Sequence, residues 1–495
     1  LFRSEKGITR VIIESAGFSE TGEAGIALQK ACSAIAENAG IRLWGPNCMG
    51  IVDVPNRHFF TFMHPSVREE DMLPGRISLI VQSGMMSAIF LSELARRGIG
   101  VAKACSIGNR ADVDECDLIE FLCEDPDTDV IALYLESIPR GRRFVELAAS
   151  AEKPIVLLKG GQSPTGAAAA KSHTYSLSGN ARLLSSVLQL SGVVLAVGIY
   201  QMMDIANALA MTGQVNPSCR TLILTLSGGA GILACDALEK LGIPIAGLSE
   251  ATRVKISEVF PPWMPVANPI DLFPAVARNG RMAAFECAFS AAIEDRGVDV
   301  LVIHFVAGLE AAMPDFEDLR KRADQHGKVI VFWLMGRKEG SRQFREKARA
   351  AGIQVHDDVI RVAECLKALS VFSAHRQSRN SAPEGSTALE TGPRPEALAD
   401  DAAPAPGAVW DEYDSKRFLA GWGIPVVPEA LIDDIAEAWP VAERMGLPVV
   451  LKGLSPEMTH KTEHGFVTLG IRSTQQMAAA CYQLQQQLDG GGRIL

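Results

Sequence analysis

One stretch organises this chain: Lys159-Gly-Gly-Gln-Ser-Pro-Thr-Gly-Ala-Ala-Ala-Ala-Lys-Ser-His173-Thr-Tyr-Ser-Leu-Ser-Gly179. It follows an apolar run typical of a buried strand, at residues 154–158, and precedes a helical pattern over residues 181–190. The pattern therefore predicts a strand-to-helix loop. Such loops present backbone N–H groups and the positive end of a helix dipole to an anion, so the sequence indicates a phosphate site.

His173 lies within this stretch, and three roles fit a histidine among small residues at a helix start. It could be a structural side chain, a general base, or a nucleophile that accepts a phosphoryl group. The upstream strand pattern Asp129-Val-Ile-Ala-Leu-Tyr-Leu-Glu136 ends in a carboxylate. An acid at the carboxyl end of a strand can fix a histidine tautomer and favour charge on the ring, so Glu136 is the candidate partner.

The composition narrows the class of protein. The chain has 495 residues, 47% of them hydrophobic, which is enough for three or four domains with their own cores. Its 48 basic and 58 acidic residues argue against nucleic acid or an anionic membrane as the main partner. No apolar run approaches the roughly 20 residues of a membrane span. The ten cysteines show no CxxC pair, which suits free thiols in a reducing cytoplasm and argues against structural zinc.

Strand and helix patterns alternate through most of the chain and predict an α/β protein of several domains. Within residues 1–70, a strand pattern at residues 41–44 runs into the turn Gly45-Pro-Asn47, which either places ligand groups at a sheet edge or only reverses the chain. Residues 75–214 contain a strand followed by the tight turn Gln82-Ser-Gly84 and then a helix.

Residues 216–375 form a further α/β unit. It opens with a strand and the glycine-rich loop Ser227-Gly-Gly-Ala-Gly231, before a helix expected from residue 232. The glycines would let the backbone approach an anion closely, although a single loop of this type is a weak signal.

Residues 376–407 lack apolar periodicity and predict a flexible linker. Residues 408–495 resume the alternation, with strands expected at 423–427, 448–452 and 466–471. Lys452 closes an apolar strand, where a lysine either reaches for water or brings a cation to phosphate. The chain begins without Met and stops inside a strand pattern, so we expect it to be a fragment.

The order of these motifs resembles the NDP-forming acyl-CoA synthetases, the superfamily of ADP-forming acetyl-CoA synthetase and succinyl-CoA synthetase. The resemblance covers nearly the whole chain outside the linker, and it rests on motifs that are modest alone and specific in their joint order. The motifs are Gly17-Phe-Ser-Glu20, Gly45-Pro-Asn-Cys48, Gln82-Ser-Gly84, Ser106-Ile-Gly-Asn-Arg-Ala-Asp112, Ser172-His-Thr174, Ser227-Gly-Gly-Ala-Gly231, Asn268-Pro-Ile-Asp271, Ala351-Gly-Ile353, Gly423-Ile-Pro425, Pro448-Val-Val-Leu-Lys452 and His460-Lys-Thr-Glu463.

The resemblance implies a domain order. Residues 1–70 would be the C-terminal part of a Rossmann-like CoA-binding domain, and residues 75–214 a flavodoxin-like ligase domain with a phosphohistidine loop. Residues 216–375 would be a second flavodoxin-like ligase domain, and residues 408–495 the start of an ATP-grasp domain. The glycine-rich turn of the CoA-binding domain is expected before Leu1, and the metal-binding carboxylates of the ATP-grasp domain after Leu495.

The implied reaction forms acyl-CoA from a carboxylic acid, CoA and ATP, releasing ADP and phosphate through an acyl phosphate and a phosphohistidine. By resemblance His173 carries the phosphoryl group, Glu136 steadies its ring, and His460 either relays the group toward the nucleotide or only caps a turn. The remaining roles are stabilising the phosphoryl group (Ser227, Gly228, Gly229, Gly231), binding CoA (Gly45, Pro46, Asn47), bordering the acid (Gln82, Ser83, Gly84) and contacting nucleotide phosphates (Lys452).

The resemblance implies ATP/ADP, CoA and Mg²⁺ as cofactors, with the metal ligands unknown. Members of the family tend to form oligomers, so we also expect a homo-oligomer. His464 and Phe466 depart from the family, which usually has a small apolar residue and a glycine there. Two other functions stay open. One is a protein lysine acetyltransferase whose synthetase-like part senses acyl-CoA, and the other is a non-catalytic CoA-binding regulator. The Glu136–His173 pairing argues against both, because neither needs a loop that can be phosphorylated.

Overall fold

The computed structural model describes residues 7–64, 72–174, 181–213, 215–308, 313–381, 410–421, 423–454, 465–488 and 493–495, with the backbone alone at 170–174, 181 and 338. The chain divides into two compact units, Leu1–Ala382 and Pro383–Leu495, so their boundary falls inside the segment predicted to be a linker. Within the described ranges, no helix combines the length and apolar character needed to cross a membrane. All ten cysteines lie in these ranges, and none forms a disulfide.

The first unit opens with a small parallel sheet of two strands. Strand β1 (Arg10–Ile12) pairs with β2 (Arg42–Trp44), and helix α1 (Glu23–Asn38) connects them after a short 3₁₀ helix at Ser19–Thr21. This strand–helix–strand unit agrees with the pattern expected for the start of the chain.

In the described residues the next sheet has seven strands in the order β4-β3-β6-β5-β7-β8-β9. The strands are β3 (Gly50–Asp53), β4 (His58–Phe60), β5 (Pro74–Val81), β6 (Val101–Ser106), β7 (Val130–Leu135), β8 (Ile155–Lys159) and β9 (Val194–Ala196). The helices that follow them are α2 (Gly84–Arg96), α3 (Glu115–Glu124), α4 (Gly141–Ser150), α5 (Pro164–Thr174), α6 (Ala181–Leu190) and α7 (Ile199–Thr212).

Two features of this sheet matter for function. Its parallel strands β6-β5-β7-β8-β9 have the 2-1-3-4-5 order of flavodoxin-like folds, which confirms the predicted fold. Strands β3 and β4 extend it, because β3 pairs antiparallel with β6. Residues 50–60 were expected to complete the CoA-binding domain, and they belong instead to the sheet of the first ligase domain.

The second half of this unit forms a parallel sheet whose described strands follow the order β11-β10-β12-β13-β14, again 2-1-3-4-5. Its strands are β10 (Thr221–Thr225), β11 (Ile270–Asp271), β12 (Val300–Ala307), β13 (Val329–Gly336) and β14 (Gln354–His356). Its helices are α8 (Gly228–Lys240), α9 (Glu250–Ser257), α10 (Phe273–Asn279), α11 (Arg281–Glu294), α12 (Phe316–Gln325), α13 (Lys338–Ala350) and α14 (Val359–Ser381).

The two sheets share a hydrophobic core. Helix α14 packs against α7 and α8, and side chains such as Leu209 and Leu369 belong to one buried cluster with residues of both sheets. Buried Asp204 of α7 accepts hydrogen bonds from Arg361 of α14 at 2.5 and 2.6 Å. Helix α14 continues to Ser381, so residues 376–381 are helical where a flexible linker was expected.

The second unit contains three helices and three short strands in its described part. They are α15 (Glu412–Gly421), α16 (Ile435–Met445), α17 (Thr474–Gln487), β15 (Val449–Leu454), β16 (Val467–Ile471) and β17 (Arg493–Ile494), with the strands in the antiparallel order β16-β15-β17. Residues 423–427 form no strand, contrary to the prediction, and are largely exposed. Phe466, which departs from the family pattern, is buried where Gly453 leaves room for its ring.

Candidate active site

The carboxyl edge of the first sheet carries a buried polar cluster at its switch point. Strands β5 and β7 are neighbours there, and they run directly into Gln82 and Glu136. The side-chain oxygen Oε1 of Gln82 accepts hydrogen bonds from the backbone N–H groups of Glu136 (2.8 Å) and Ser137 (3.3 Å). Gln82 is only 5% exposed, so it fixes the chain at the point where the Glu136 carboxylate projects. Ligands bind at such switch points in open α/β sheets.

Glu136 is itself buried, and it lies beside Lys159 and Tyr134. Lys159, at the end of β8, donates from Nζ to the backbone carbonyls of Glu136 (2.6 Å) and Gly160 (2.5 Å). Burial lowers the pKa of Lys159, and the Glu136 carboxylate opposes that shift. Burial raises the pKa of Tyr134, and the charge of Glu136 and a hydrogen bond to it add to the rise.

Tyr134 and Arg110 are two residues of this cluster that sequence reasoning missed. Tyr134 precedes Glu136 by two positions, and side chains two apart in a strand face the same side, so the strand pattern held that signal. Arg110 donates to the carboxylate of Glu115 (3.0 Å) and to the Ser137 carbonyl (3.0 Å) and hydroxyl (2.7 Å). It therefore ties the chain after Glu136 to the loop after β6.

The segment carrying His173 differs from the prediction. Residues 164–174 form helix α5 instead of a loop, and His173 is its penultimate residue. The run of four alanines favours helix, Pro164 suits its first position, and the Ser163 hydroxyl accepts from the Gly166 N–H at 3.0 Å. Helix α5 lies near the 3₁₀ helix Ser19–Thr21. The His173 side chain lies outside the described atoms, so its pairing with Glu136 stays a prediction.

The glycine-rich motif at residues 227–231 lies at the switch point of the second sheet, between β10 and β12. Helix α8 begins at Gly228, four residues earlier than predicted, so these glycines form its first turn. Ser227, Gly228 and Gly229 are exposed, and the Ser227 side chain makes no capping hydrogen bond. The first-turn N–H groups of a helix have no partner inside the helix. A β-carbon on Gly231 would lie 3.0 Å from Pro269.

Beneath this turn lies another pair that the sequence did not reveal. The Thr225 hydroxyl hydrogen bonds with the carbonyl (2.9 Å) and N–H (3.0 Å) of Ser227 and with Nδ1 of His304 (3.0 Å). His304 is 4% exposed, and burial lowers its pKa. A polar residue inside the apolar strand β12 was the available signal.

The structure brings three predicted motifs together around the turn Gly45-Pro46-Asn47. The carbonyls of Pro46 and Gly45 accept hydrogen bonds from Asn109 N–H and Ala111 N–H, each at 2.9 Å. Asn47 donates from Nδ2 to Asn109 at 3.3 Å. Gly45 has a φ of +88°, and an added β-carbon would lie 2.5 Å from a backbone carbonyl, so only glycine fits.

The turn at residues 45–47 also lies close to the motif Gln82-Ser-Gly84. Ser83 stands before α2 and Gly84 is its first residue. A β-carbon on Gly84 would lie 2.9 Å from the side chain of Met49, two residues after Asn47. The turns at 45–47 and 82–84 are therefore close neighbours, and Gln82 of the second turn hydrogen bonds to the backbone of Glu136.

In the second unit, Lys452 lies on β15. Its Nζ hydrogen bonds with Oε1 of Glu412 at 2.5 Å, and Lys416 contacts the same oxygen and Glu429, each at 2.7 Å. Both lysines line a mainly apolar cavity of about 320 Å³. His460 lies outside the described residues, so its role stays a prediction.

The described residues contain one cluster of three potential metal ligands, and it does not suit Mg²⁺. Asp114, Glu115 and Cys116 bring ligand atoms within 4.8 Å of one another. However, Asp114 is paired with Arg140 and caps α3, and Glu115 is paired with Arg110. Thiols are also poor ligands for a hard cation. We therefore assign this cluster a structural role.

Comparison with known proteins agrees with these features. Residues 74–209 match the succinyl-CoA ligase like flavodoxin domain, and residues 402–491 match an ATP-grasp domain. The chain is 31% identical over 468 residues to ADP-forming acetate–CoA ligase I of Archaeoglobus fulgidus, which covers 94% of this chain and 65% of that ligase. It thus spans less than two thirds of that relative's length.

Two further relatives are covered more fully. The alpha subunit of ADP-forming acetate–CoA ligase II of Pyrococcus furiosus is 32% identical over 371 residues, which is 73% of this chain and 79% of that subunit. The structure of dinucleotide forming acetyl-coenzyme A synthetase 1 of Ca. Korarchaeum cryptofilum, in complex with phosphate and ADP, matches with a TM-score of 0.67 and 28% identity. That match covers 77% of this chain and 81% of that one.

Proposed function

Since this chain belongs to the NDP-forming acyl-CoA synthetase superfamily, we propose that it is an acid–thiol ligase, forming acyl-CoA from a carboxylic acid, CoA and ATP with release of ADP and phosphate. The observation that carries this proposal is the buried Glu136, which Gln82 fixes at the switch point of the flavodoxin-like sheet. A carboxylate held in this way suits the partner of a phosphoryl-carrying histidine, because it can orient the ring and stabilise its charge.

We assign the carrier role to His173. His460 first takes the γ-phosphoryl group of ATP as its bond to the ADP oxygen breaks. One ring nitrogen of His173 then attacks the same phosphorus, forming a nitrogen–phosphorus bond as the bond to His460 breaks. Glu136 accepts a hydrogen bond from the other ring N–H. The carboxylate of the acid then attacks the same phosphorus, which releases neutral histidine and gives an acyl phosphate. The CoA thiol attacks the acyl carbon, phosphate leaves, and the thiol proton passes to solvent.

The start of helix α8 is proposed to stabilise the phosphoryl group during these steps. Ser227, Gly228 and Gly229 leave its first turn exposed, and Gly231 lets the turn pack closely on Pro269. Backbone N–H groups and the helix dipole favour an anion at such a position without any side-chain charge.

The turn at Gly45, Pro46 and Asn47 is proposed to bind CoA. Ser83 and Gly84 are proposed to border the acid, since the Oε1 atom of the adjacent Gln82 is committed to the backbone.

In the second unit, Lys452 contacts the nucleotide phosphates and His460 relays the phosphoryl group. Mg²⁺ accompanies the nucleotide, as is usual for phosphoryl transfer from ATP. We further propose a homo-oligomer in the cytoplasm, where free cysteines stay reduced.

The test is synthesis of acyl-CoA from acetate, CoA and ATP by His173→Ala and Glu136→Gln variants. We expect His173→Ala to lose activity by orders of magnitude and Glu136→Gln to lose less, because the first removes the nucleophile and the second only its partner. His326→Ala, at an exposed histidine, is the matched control. Activity of His173→Ala above about a tenth of wild type would contradict the carrier role, since loss of a covalent nucleophile costs far more.

Two results would redirect the proposal. Calorimetry that shows tight CoA binding by a protein with no synthetase activity would favour a regulator. Transfer of the acetyl group from acetyl-CoA to a protein lysine would favour an acetyltransferase.

A further inference from the structure

A polar cavity lies far from the candidate active site, at the junction of the two flavodoxin-like halves. It has a volume of about 700 Å³ and is lined by the end of α2, by α7, and by α13, β14 and α14. Helix α2 starts beside Gln82 and spans 13 residues, so its far end lies about 20 Å from the switch point. The cavity is thus separate from the site proposed for acyl-CoA formation.

Positive charge dominates the lining. Among the described residues, the lining includes six arginines and three carboxylates, which leaves three positive charges in excess. The arginines are Arg96, Arg97, Arg342, Arg345, Arg349 and Arg361, and the carboxylates are Asp204, Glu346 and Asp357. His356 also lines the cavity, and burial together with Arg97 and Arg345 lowers its pKa to about 4, so it adds no charge at neutral pH.

The carboxylates are already engaged and do not neutralise the whole cluster. Asp204 pairs with both Arg97 and Arg361, each at 2.5 Å. Asp357 pairs with Arg345 and, at 3.8 Å, with Arg361. Both carboxylates that pair with Arg361 are therefore shared with another arginine.

In the described chain, two guanidinium groups of this cluster could form further ion pairs or hydrogen bonds. Arg349 forms no ion pair there, and its Nη2 donates only to the carbonyl of Arg97 at 2.7 Å. Arg97 has a buried Nη1 with no hydrogen-bond partner. Burial lowers the pKa of Arg345, and the charges of Arg349 and Arg97 lower it further. Like charges held together away from water are costly unless an anion offsets them.

The backbone also makes room for this cluster. Gly98 has a φ of +65°, and a β-carbon there would lie 1.9 Å from the Arg349 guanidinium. Glycine therefore allows an arginine from the second half to reach the end of α2 in the first half. The cluster is built by both halves, so a ligand bound there would bridge them.

We propose that this cavity binds a small molecule bearing phosphate groups with two to three negative charges. Guanidinium forks match phosphate oxygens in pairs, and the excess of three positive charges suits more than a single carboxylate. The volume falls in the range of about 300–1,000 Å³ typical of small-ligand sites. The half-exposed ring of Tyr200, beside Arg97, offers a flat surface to an organic part of the ligand. Binding would stabilise the junction of the two halves.

The test is isothermal titration of the full chain with inorganic pyrophosphate at low salt. We expect the double variant Arg345→Gln/Arg349→Gln to bind at least about tenfold more weakly, because each charged hydrogen bond contributes about that factor. Arg253→Gln is the matched control, since Arg253 is an exposed arginine paired with Glu250 on α9. It should bind like wild type. Equal binding by all three proteins, or none by wild type, would overturn the proposal.

A milder variant guards against misfolding of the double variant. Arg342 is 73% exposed, so Arg342→Gln should keep the fold and still weaken pyrophosphate binding. Titration with ADP tests the organic part: ADP binding that Arg342→Gln weakens more than pyrophosphate binding would place that part in the cavity. Sedimentation tests the rival occupant. A change of oligomeric mass in the double variant, with unchanged pyrophosphate binding, would identify the cavity as a subunit interface and overturn the proposal.

Discussion

Replacing Gln82 with methionine should loosen the chain that carries Glu136 while leaving the sheet intact. Oε1 of Gln82 accepts from two backbone N–H groups, at 2.8 and 3.3 Å, and the side chain is 5% exposed. Methionine fills the same space without an acceptor. Leaving a buried donor unsatisfied costs about 1–3 kcal/mol, and the longer second bond adds little.

Amide hydrogen exchange followed by mass spectrometry measures this loss where it occurs. A local cost of about 1–3 kcal/mol corresponds to roughly 5- to 150-fold faster exchange. We expect that acceleration in the peptide containing Glu136 and Ser137, with little change in β8. Gln201→Met is the matched control, because Gln201 also accepts from a backbone N–H, at 2.7 Å, but in an exposed position where water replaces it. Unchanged exchange at Glu136 in Gln82→Met would refute the positioning role of Gln82.

Three further predictions follow from single residues. Gly45→Ala should lower the melting temperature and weaken CoA binding, because the left-handed φ and a backbone clash should lower the free energy of unfolding by about 2 kcal/mol or more. Gly40 is also left-handed but lies in open space, so Gly40→Ala should lower it by only about 1 kcal/mol. Equal melting temperatures for the two variants would contradict this. Folding lowers the pKa of His356 from 6.5 to about 4, so the folded state binds fewer protons than the unfolded state. The free energy of unfolding should therefore decrease by about 3 kcal/mol between pH 6.5 and pH 4. His356→Gln should remove that part of the pH dependence, and an unchanged profile would show that His356 is not its source. Phe466→Ala should destabilise the second unit by about 3–5 kcal/mol, as measured by urea unfolding. Tyr482 has a mostly exposed ring, so Tyr482→Ala should destabilise the unit far less. Similar values for the two variants would contradict the core role of Phe466.

Strands and helices with strong local patterns could be predicted from the sequence. The buried run at β8 and the helices α1 and α6 follow from periodicity alone, and the repeated strand–helix order predicted two α/β units. The resemblance to the acyl-CoA synthetases implied that both are flavodoxin-like. The motif order also placed Gln82 and Glu136 at the carboxyl ends of strands. Because parallel strands align these ends, their meeting at the switch point was implicit in the pattern.

Other features depended on contacts between distant residues. Strand β3 joins the first ligase sheet by pairing with β6, some 50 residues later, and β4 follows by pairing with β3. No local pattern encodes that choice. The last residues of helix α14 look like linker, yet Arg379 there donates to the distant carbonyls of Ser150 (2.9 Å) and Ala151 (2.7 Å). Helix α5 is a different case, because its alanines and Pro164 did signal a helix, and the glycines around them were given too much weight.

The most direct test of the account is the chemical nature of a phosphorylated intermediate. The protein is incubated with an acyl-CoA and labelled inorganic phosphate, a direction of the reaction that does not require the nucleotide. The account predicts protein-bound label that is acid-labile and base-stable, maps to His173 by peptide analysis, and disappears when ADP is added. Label on a residue other than His173 and the relay residue His460, or no label on a protein that makes acyl-CoA from ATP, would contradict it.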